Sequence, residues 1–503
     1  MTLLAPIFEQ DPNGLAFRAG DGSVTYGQLC EDIDTMAAWL KSQGVARDTR
    51  LGIHFKGDHS YWTLIAHLGS IRVGACHITI ANAATMALAL RYGMAIYLHA
   101  RDDIPLPAKI KSIALRPETL KPLAEQLGVA SRKWKDKTAE SNATRLAFTS
   151  GTTGEARAAL WTPDILARRV AQVRDHVSKE TKLFVTLGLQ TTAGMRYPIG
   201  LWQAGGLLLS RGIDEEVENP SLTGTRANTL LATSPVALSS MLKRRPNPWE
   251  GKDERVIIVM GGRLAKQVLE RALDVACKRL EINYGATEVG RIAIGDSSLL
   301  ERHPGAVGFI TDDAEVEIVD EQDRPRAAGT PGIVRIKAPA MVRGYEAPAG
   351  EARPEERATS SFRDGWFYPG DLGILFEDGL FAIAGRFTET VNIGGLKLDV
   401  AAIEIELGDL PGIEDVCLVP VSAPDGAMVA IVTVLSPKAD RRSLRREIRK
   451  KLSLKCPVQL IAASEIPRNA MGKIERHEVA RRVGSTLRRV RARRSQGVSA
   501  GTG

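Results

Sequence analysis

A segment rich in serine, threonine and glycine follows an apolar stretch in the first third of the chain. It reads RLAFTSGTTGEARAALWT, and its polar cluster comprises Thr149, Ser150, Gly151, Thr152, Thr153 and Gly154. Glycines let the backbone approach an anion closely, while hydroxyl and N–H groups donate hydrogen bonds to phosphate oxygens. The common nucleotide P-loop ends in Gly-Lys-Ser/Thr, which is absent here. By itself the cluster leaves a phosphate-binding loop and an ordinary turn both open.

A second segment, NYGATEVGR, follows a strand–helix–strand pattern in which we predict a helix from about Leu264 to Leu280. Ligands gather at the carboxyl ends of parallel strands, where this segment would lie. Tyr284 could stack on a base, Thr287 could contact a phosphate and Glu288 could hold Mg²⁺. The alternative is a loop with a half-buried tyrosine.

Two further segments carry charged residues that could act on a nucleotide. DGWFYPGDLG contains Asp371, and Arg386 follows fifteen residues later. A fixed carboxylate can accept both hydroxyls of a ribose, and the guanidinium can add donors to the same sugar or to phosphate. IPRNAMGKIER contains Lys473. This lysine would matter only if a small second domain moved over the first, and otherwise it would be solvated.

Together and in this order, the four segments resemble the adenylate-forming superfamily, which includes acyl-CoA synthetases, luciferases and nonribosomal peptide adenylation domains. The resemblance runs from about Val24 to Val479. It implies that Lys473 bridges the attacking carboxylate and the α-phosphate, where negative charge builds in the transition state. The other implied roles are phosphate binding by Thr149 to Gly154, adenine contact by Tyr284, α-phosphate contact by Thr287, Mg²⁺ binding by Glu288, and ribose binding by Asp371 and Arg386.

The reaction implied by this resemblance has two halves. A carboxylate and ATP give acyl-AMP and pyrophosphate, and a thiol then attacks the mixed anhydride and releases AMP. CoA is the expected acceptor and co-substrate, and a separate acyl carrier protein is the alternative. The small domain is expected to pivot between the two steps about Thr388, presenting Gly394 and Gly395 to the thiol.

Two departures from the family pattern motivate an alternative hypothesis, that the protein is a non-catalytic nucleotide-binding homologue. Ala156, Arg157 and Ala158 stand where the family usually has Pro-Lys-Gly, and Thr388 stands where Asp or Lys is common. However, the charged residues Glu288, Asp371, Arg386 and Lys473 are all present, which favours an enzyme.

The order of elements that must position these residues indicates an α/β fold. We expect a large N-terminal domain with doubly wound sheets plus a β-rich subdomain, and a small mobile α+β C-terminal domain. Alternation of period two in AEVEIVD and GIVRIKA marks the β-rich part. The predicted boundaries are 1–385 for the adenylation domain, 386–480 for the mobile domain and 481–503 for a basic, disordered tail.

Composition sets limits on the class of protein. The 503 residues are 44% hydrophobic and 25% charged, without a run of eighteen apolar residues, so no membrane span is expected. The net charge is +8, and residues 481–503 hold seven arginines and no acidic residue, so the other 480 residues carry only +1. Nucleic-acid binding by this tail is a third, less favoured reading. The five isolated cysteines indicate packing roles and a reducing cytoplasm.

The resemblance places the acyl pocket beside the helix predicted in TTAGMRYPIGLWQAGG. Amino-acid-activating relatives often carry an aspartate near this point, and none occurs between Thr181 and Ser210, which favours a non-amino acid. Fatty, aromatic and small organic acids stay open. Arg196 could pair with a second substrate carboxylate or lie at the surface. Four apolar or aromatic residues could line the pocket or pack in the core: Met195, Tyr197, Leu201 and Trp202.

Overall fold

The chain alternates helices and strands through most of its length. The computed structural model describes residues 3–19, 22–55, 60–100, 104, 106–115, 144–149, 156–210, 229–303, 305–351, 361–386, 390–393, 396–408, 410–423, 426–437, 439–452, 458–468 and 474–485. Contacts divide the chain into two compact units. The first comprises Met1–Thr330, Val334–Pro369 and Leu375–Ala382, and the second comprises Pro331–Ile333, Gly370–Ile374 and Ile383–Gly503.

The helices are amphipathic or fully buried, and several begin at a side-chain cap. Thr25 and Gln28 form a capping box at the start of α2, and Thr162 caps α5 ahead of Pro163. No helix in the described ranges is both long and apolar enough to cross a membrane. The helices are α1 (Ala5–Phe8), α2 (Tyr26–Ser42), α3 (Ser60–Val73), α4 (Ala83–Arg91), α5 (Pro163–Ala171), α6 (Thr192–Gln203), α7 (Pro235–Arg244), α8 (Lys266–Val275), α9 (Leu299–Arg302), α10 (Val400–Gly408), α11 (Arg441–Leu452) and α12 (476–485).

The strands of the first half form mostly parallel ladders, and those of the second half are mostly antiparallel. In chain order, the first strands are β1 (Leu15–Ala19), β2 (Gly22–Thr25), β3 (Arg50–His54), β4 (Cys76–Thr79), β5 (Ile96–His99), β6 (Lys111–Ala114), β7 (Arg145–Thr149), β8 (Arg157–Trp161), β9 (Lys182–Val185), β10 (Leu207–Leu209), β11 (Thr229–Thr233), β12 (Arg255–Met260) and β13 (Arg279–Ala286). The remaining strands are β14 (Gly290–Asp296), β15 (Ala306–Ile310), β16 (Glu315–Val319), β17 (Gly332–Lys337), β18 (Tyr345–Glu346), β19 (Phe362–Arg363), β20 (Trp366–Phe367), β21 (Asp371–Leu375), β22 (Leu380–Arg386), β23 (Thr390–Ile393), β24 (Leu396–Asp399), β25 (Ile413–Ala423), β26 (Gly426–Leu435) and β27 (Val458–Ala462).

Two sheets organise the first unit. One runs in the order β15-β14-β13-β12-β11-β9-β10-β1-β2, with parallel pairing from β13 through to β1. The other runs β18-β8-β7-β4-β3-β5-β6, with parallel pairing from β7 to β6. Helices α2, α3, α5 and α6 contribute to a large apolar core that includes Trp161 and Trp202. The predicted mixed α/β fold is therefore confirmed.

The predicted β-rich part of the chain also follows the sequence pattern. Strand β17 alternates buried and half-buried residues, as GIVRIKA predicts, and it pairs with β16 and β20. The predicted helix from Leu264 to Leu280 is wrong at its end, because α8 ends at Val275. Arg279 and Leu280 instead pair in parallel with β12, so strand pairing takes residues that apolar spacing alone had placed in the helix.

The second unit is built on the sheet β25-β26-β27 and a separate hairpin, β23-β24. Helices α10 and α11 pack on one apolar cluster of the unit through Val400, Leu407, Leu444 and Ile448. A second cluster joins the strands to Ile466, Ile474, Val479 and Val483. Residues 481–485 continue α12, where the sequence indicated the start of a tail, because Val479 and Val483 share one buried helix face.

Candidate active site

The predicted phosphate loop is framed by an antiparallel strand pair. Strands β7 and β8 pair in the register Thr149↔Arg157 and Phe148↔Ala158, and Thr149 is buried at the end of β7. The intervening cluster, Ser150 to Gly154, lies outside the described residues. The segment from Ala156 to Ala158, which differs from the family's usual Pro-Lys-Gly, leads into β8: the strand begins at Arg157, and Ala158 is fully buried.

The loop that carries Thr287 and Glu288 is a tight connection between β13 and β14. Gly290 has a φ of 85°, and a Cβ on Gly285 would lie 2.0 Å from the Gly290 carbonyl oxygen. Only glycine fits at Gly285, and Gly290 adopts a conformation that other residues rarely take. The two glycines thus fix the path of the backbone on which these two polar side chains stand.

A buried arginine binds the backbone of the same loop. The guanidinium of Arg169 donates to the carbonyl of Thr287 at 2.7 Å, to that of Glu288 at 3.0 Å and to that of Ala340 at 2.9 Å. The ring of Trp161 lies 4.2 Å from the guanidinium carbon. Burial lowers the pKa of Arg169 to about 9. Three carbonyls and a ring face thus solvate this cation in place of water.

The carboxylate of Glu288 is buried and oriented by a phenol. Tyr345 donates a 2.7 Å hydrogen bond to Oε1 of Glu288, and the backbone N–H of Val342 donates to the Glu288 carbonyl at 2.8 Å. Burial, and the adjacent carboxylate, raise the pKa of the Tyr345 phenol. The phenol therefore stays protonated and keeps donating at neutral pH.

Tyr345 also connects Glu288 to the phosphate-loop hairpin. It pairs with Ala159 of β8, and its ring lies 5.1 Å from the guanidinium carbon of Arg157. Arg157 also donates to Oγ of Ser361 at 2.9 Å. A chain of contacts within the first unit therefore runs from Thr149 through Arg157 and Tyr345 to Glu288.

The predicted adenine contact, Tyr284, precedes this loop on β13. Its half-buried ring meets Phe381 edge-on, with the ring centroids 5.5 Å apart. Its neighbour Asn283 is buried and donates to the Tyr197 hydroxyl at 3.2 Å. The base-stacking role of Tyr284 stays a prediction.

The predicted ribose-binding residues form an ion pair in the second unit. Nε of Arg386 lies 2.9 Å from Oδ1 of Asp371, and the Asp371 side chain is buried. Gly370, with a φ of 80°, provides the turn into β21. Lys473, Thr388, Gly394 and Gly395 lie outside the described residues, so their roles stay predictions.

The helix predicted beside the acyl pocket is α6. Met195, Tyr197, Leu201 and Trp202 have no exposed surface, which is what core packing requires. Arg196 is 4% exposed and donates to the Gln172 side chain at 3.2 Å, so the alternative of a surface arginine is wrong.

Sequence reasoning missed Arg169 and Tyr345. Arg169 carried one signal, because it stands on the buried face of an amphipathic helix between Leu166 and Val170. Tyr345 carried none, because its partner lies 57 residues away and only the fold brings them together.

Comparison with known proteins shows the family and the fold of this chain. The family model described as "AMP-binding enzyme" matches residues 7–346. The fatty acid–[acyl-carrier-protein] ligase MmaC of Mycobacterium marinum is 27% identical over 95% of this chain and 97% of its own. The 3-hydroxybenzoate–CoA ligase of an Aromatoleum species is 25% identical over 92% of each chain. ATP-bound MatB from Rhodopseudomonas palustris superposes with a TM-score of 0.79 at 21% identity, covering 95% of this chain and 98% of its own.

Proposed function

The chain belongs to the family of AMP-binding enzymes, and we propose that the residues described above carry out the two half-reactions of an AMP-forming acid–thiol ligase. The protein activates a carboxylic acid with ATP and transfers the acyl group to a thiol, using ATP, Mg²⁺ and CoA. The observation that carries the residue assignment is the buried Glu288, whose carboxylate Tyr345 orients and whose backbone Arg169 holds.

In the first half-reaction, a carboxylate oxygen bonds to the α-phosphorus of ATP and the bond to the pyrophosphate oxygen breaks. The leaving pyrophosphate takes the electron pair. Thr149 to Gly154 bind the β- and γ-phosphates through hydroxyl and N–H donors, and Thr287 donates to the α-phosphate. Lys473 bridges the incoming carboxylate and the α-phosphate, where its positive charge offsets the charge that develops.

The donor set around Glu288 fits Mg²⁺ held jointly with the substrate. Mg²⁺ takes one or two carboxylates and completes its shell with phosphate oxygens and water. Within the described ranges no group of three histidine, cysteine or acidic side chains forms an all-protein metal site. Glu288 would hold the ion, which would neutralise charge on the phosphates. Tyr345 leaves the second carboxylate oxygen of Glu288 available for this role.

Nucleotide specificity rests on Tyr284 and on the pair Asp371–Arg386. The tyrosine ring offers a face to adenine. The Asp371 carboxylate accepts the ribose hydroxyls, and Arg386 both fixes this carboxylate and adds donors.

In the second half-reaction, the thiol sulfur bonds to the acyl carbonyl carbon, the bond from that carbon to the phosphate oxygen breaks, AMP leaves with the electron pair, and the thiol proton passes to solvent. The domain from Arg386 to 480 pivots between the two steps, withdrawing Lys473 and presenting Gly394 and Gly395. The buried Cys76, Cys277 and Cys417 take no part, because burial raises the pKa of each thiol to about 12.

The substrate is proposed to be a non-amino acid. The absence of an aspartate from Thr181 to Ser210 removes the usual partner for a substrate ammonium. The relatives named above act on fatty acids and on an aromatic acid.

A carrier protein is the second candidate acceptor, and one surface favours it. Helix α11 packs through Leu444 and Ile448 and turns basic residues to solvent. Acidic carrier surfaces would be attracted to this face. Among the side chains of this helix whose burial the structure describes, the exposed cations are Arg441, Arg442, Arg445, Arg446 and Lys450.

The test is AMP and pyrophosphate release from Mg-ATP with a panel of fatty, aryl, dicarboxylic and amino acids. Each acid is assayed with CoA, with an acyl carrier protein and without acceptor, for the wild type and for Lys473→Ala. Acceptor-dependent AMP that the variant loses is the expected result. Binding of ATP without adenylate formation for any acid would instead favour the non-catalytic homologue.

A further inference from the structure

The segment that carries Lys473 is closed at its base by a short strand bridge. Arg468 and Ile474 form an isolated antiparallel bridge, and the N–H of Glu475 donates to the Pro467 carbonyl at 2.9 Å. Ile466 and Ile474 both pack into the cluster around Cys417 and Val419. The two ends of the segment are therefore fixed to the sheet of the second unit.

Each end of the segment also makes an ion pair with a different element. On the entering side, Arg468 donates to Asp415 of β25 at 2.7 Å and 3.3 Å. On the leaving side, Arg476 makes a two-pronged pair with Glu404 of α10, in which Nη2 and Oε2 are 2.6 Å apart. Both arginines and Asp415 are a quarter to a third exposed, but Glu404 is buried.

Glu404 is more than the partner of one arginine. Its Oε1 also accepts the backbone N–H of Leu418 at 2.6 Å, and Arg476 donates to the Leu418 carbonyl at 3.3 Å. Glu404 and Arg476 thus close a hydrogen-bonded ring on the backbone of Leu418. A bidentate pair of this kind fixes direction as well as distance.

The ring formed by Glu404, Arg476 and the Leu418 backbone joins two parts of the small domain: the segment that carries Lys473, proposed to act in adenylation, and the helix that follows hairpin β23-β24. Arg476 stands three residues after Lys473, and Glu404 stands on the helix that directly follows hairpin β23-β24. Because consecutive residues are joined at a fixed distance, anchoring Ile474 and Arg476 limits where the chain can place Lys473. The pair does not touch a substrate, so any effect on catalysis would act through the lysine.

We infer that Glu404 and Arg476 are positioning residues for the adenylation step. They fix the chain that carries Lys473 to α10 and β25. This inference rests on the proposed role of Lys473. A displacement of about 1 Å in a catalytic group can cost about 100-fold in rate. Loss of the pair therefore slows adenylation, but it spares ATP binding, which depends on other residues.

The experiment separates the two half-reactions in the full-length enzyme. Adenylation is followed by exchange of labelled pyrophosphate into ATP, and thioester formation is followed from supplied acyl-adenylate and CoA. For Glu404→Gln and Arg476→Gln, we expect adenylation kcat to fall by about 10- to 100-fold, with the KM for ATP within about twofold and thioester formation within about threefold. Arg476→Lys, which keeps the charge, should recover part of the rate.

Glu478→Gln is the matched control. Glu478 binds Arg481 and Arg482 on α12 of the same unit, in pairs that include neither Glu404 nor Arg476. This variant should keep both rates. Equal losses in both half-reactions, in proportion to loss of folded protein, would overturn the inference in favour of a purely structural pair.

Lys473→Ala distinguishes this inference from the proposed function. If that variant retains adenylation, the role proposed for Lys473 fails, and the positioning role fails with it. If Lys473→Ala loses adenylation but Glu404→Gln and Arg476→Gln keep it, only the positioning role is refuted.

Discussion

The phenol of Tyr345 and the carboxylate of Glu288 are joined by a 2.7 Å hydrogen bond across 57 residues of sequence. The same tyrosine carries Arg157 against its ring and pairs with β8. Its position links the proposed metal-binding carboxylate to the hairpin that frames the phosphate loop. Arg157 lies in the segment where the family usually has Pro-Lys-Gly. It packs against the ring of Tyr345, whose hydroxyl orients Glu288.

Tyr345→Phe should weaken the response to Mg²⁺. Without the phenol, Glu288 loses its fixed orientation, and groups that orient a metal ligand typically affect metal affinity about 10- to 100-fold. The measurement is the rate of AMP formation against Mg²⁺ concentration, in which the half-saturating concentration should rise by a factor in that range.

Tyr61→Phe serves as its control. Tyr61 donates to Asp32 at 2.6 Å in another part-buried phenol–carboxylate pair, which involves none of the proposed site residues. An unchanged Mg²⁺ response in Tyr345→Phe, or an equal change in both variants, would contradict the role given to Tyr345.

Arg169→Lys should lower both activity and stability. The donors of a lysine diverge from one nitrogen, whereas Arg169 reaches the carbonyls of Thr287, Glu288 and Ala340 from two, so buried acceptors lose partners and the loop loosens. We expect the free energy of unfolding to fall by about 2 kcal/mol. The kcat of the protein that stays folded should fall about 10-fold or more.

Arg255→Lys separates these two effects. Arg255 is also buried and donates to the carbonyls of Ala276 and Glu250, away from the site residues. It should lose stability to a similar extent and keep its kcat. Denaturant unfolding and active-site-normalised rates check both variants, and equal kcat losses would argue against a specific role for Arg169.

Asp371→Asn should remove recognition of the ribose hydroxyls. A site built to bind a hydroxyl discriminates strongly against an analogue that lacks it, because its buried polar groups lose their partner. The wild type should prefer ATP to 2′-deoxy-ATP and 3′-deoxy-ATP in kcat/KM, and the variant should prefer it much less.

The control for this variant is Asp378→Asn. Asp378 also pairs with an arginine, Arg302, but both side chains are about half exposed. Its preference for ATP should match that of the wild type. If Asp371→Asn still discriminates against both deoxy analogues as the wild type does, Asp371 does not bind the ribose.

Acidification should destabilise the protein through buried histidines. Burial and repulsion from Arg145 lower the pKa of His67 to about 3, from an ordinary value of 6.5. Between those values the unfolded chain binds a proton that the folded chain does not. The free energy of unfolding contributed by this group therefore falls as pH drops from about 6.5 towards 3, and it is constant above that window.

His67→Gln should flatten this dependence in part, since His77 beside it has its pKa lowered in the same direction. The measurement is the midpoint of thermal unfolding at several pH values from 7 to 4. His477→Gln, at an exposed position, should leave the slope unchanged. The same slope in His67→Gln as in the wild type would contradict the assignment.

The sequence by itself determined the order of the elements, the α/β class and the family to which the chain belongs. Local rules were enough for these, because hydrophobic periodicity sets helices and strands, and the four motif segments keep polar residues where such folds place ligands. Local rules failed at the end of α8, where pairing with β12 takes Arg279 and Leu280 into a strand.

Tertiary structure alone decided which residues hold the functional ones in place. Arg169 reaches the carbonyls of Thr287 and Glu288 across 118 and 119 residues, and Arg476 reaches Glu404 across 72. Neither spacing follows from periodicity, because such contacts depend on how distant segments pack. A buried arginine is stable only where the fold supplies acceptors, and these are backbone carbonyls and a carboxylate whose positions no single segment specifies.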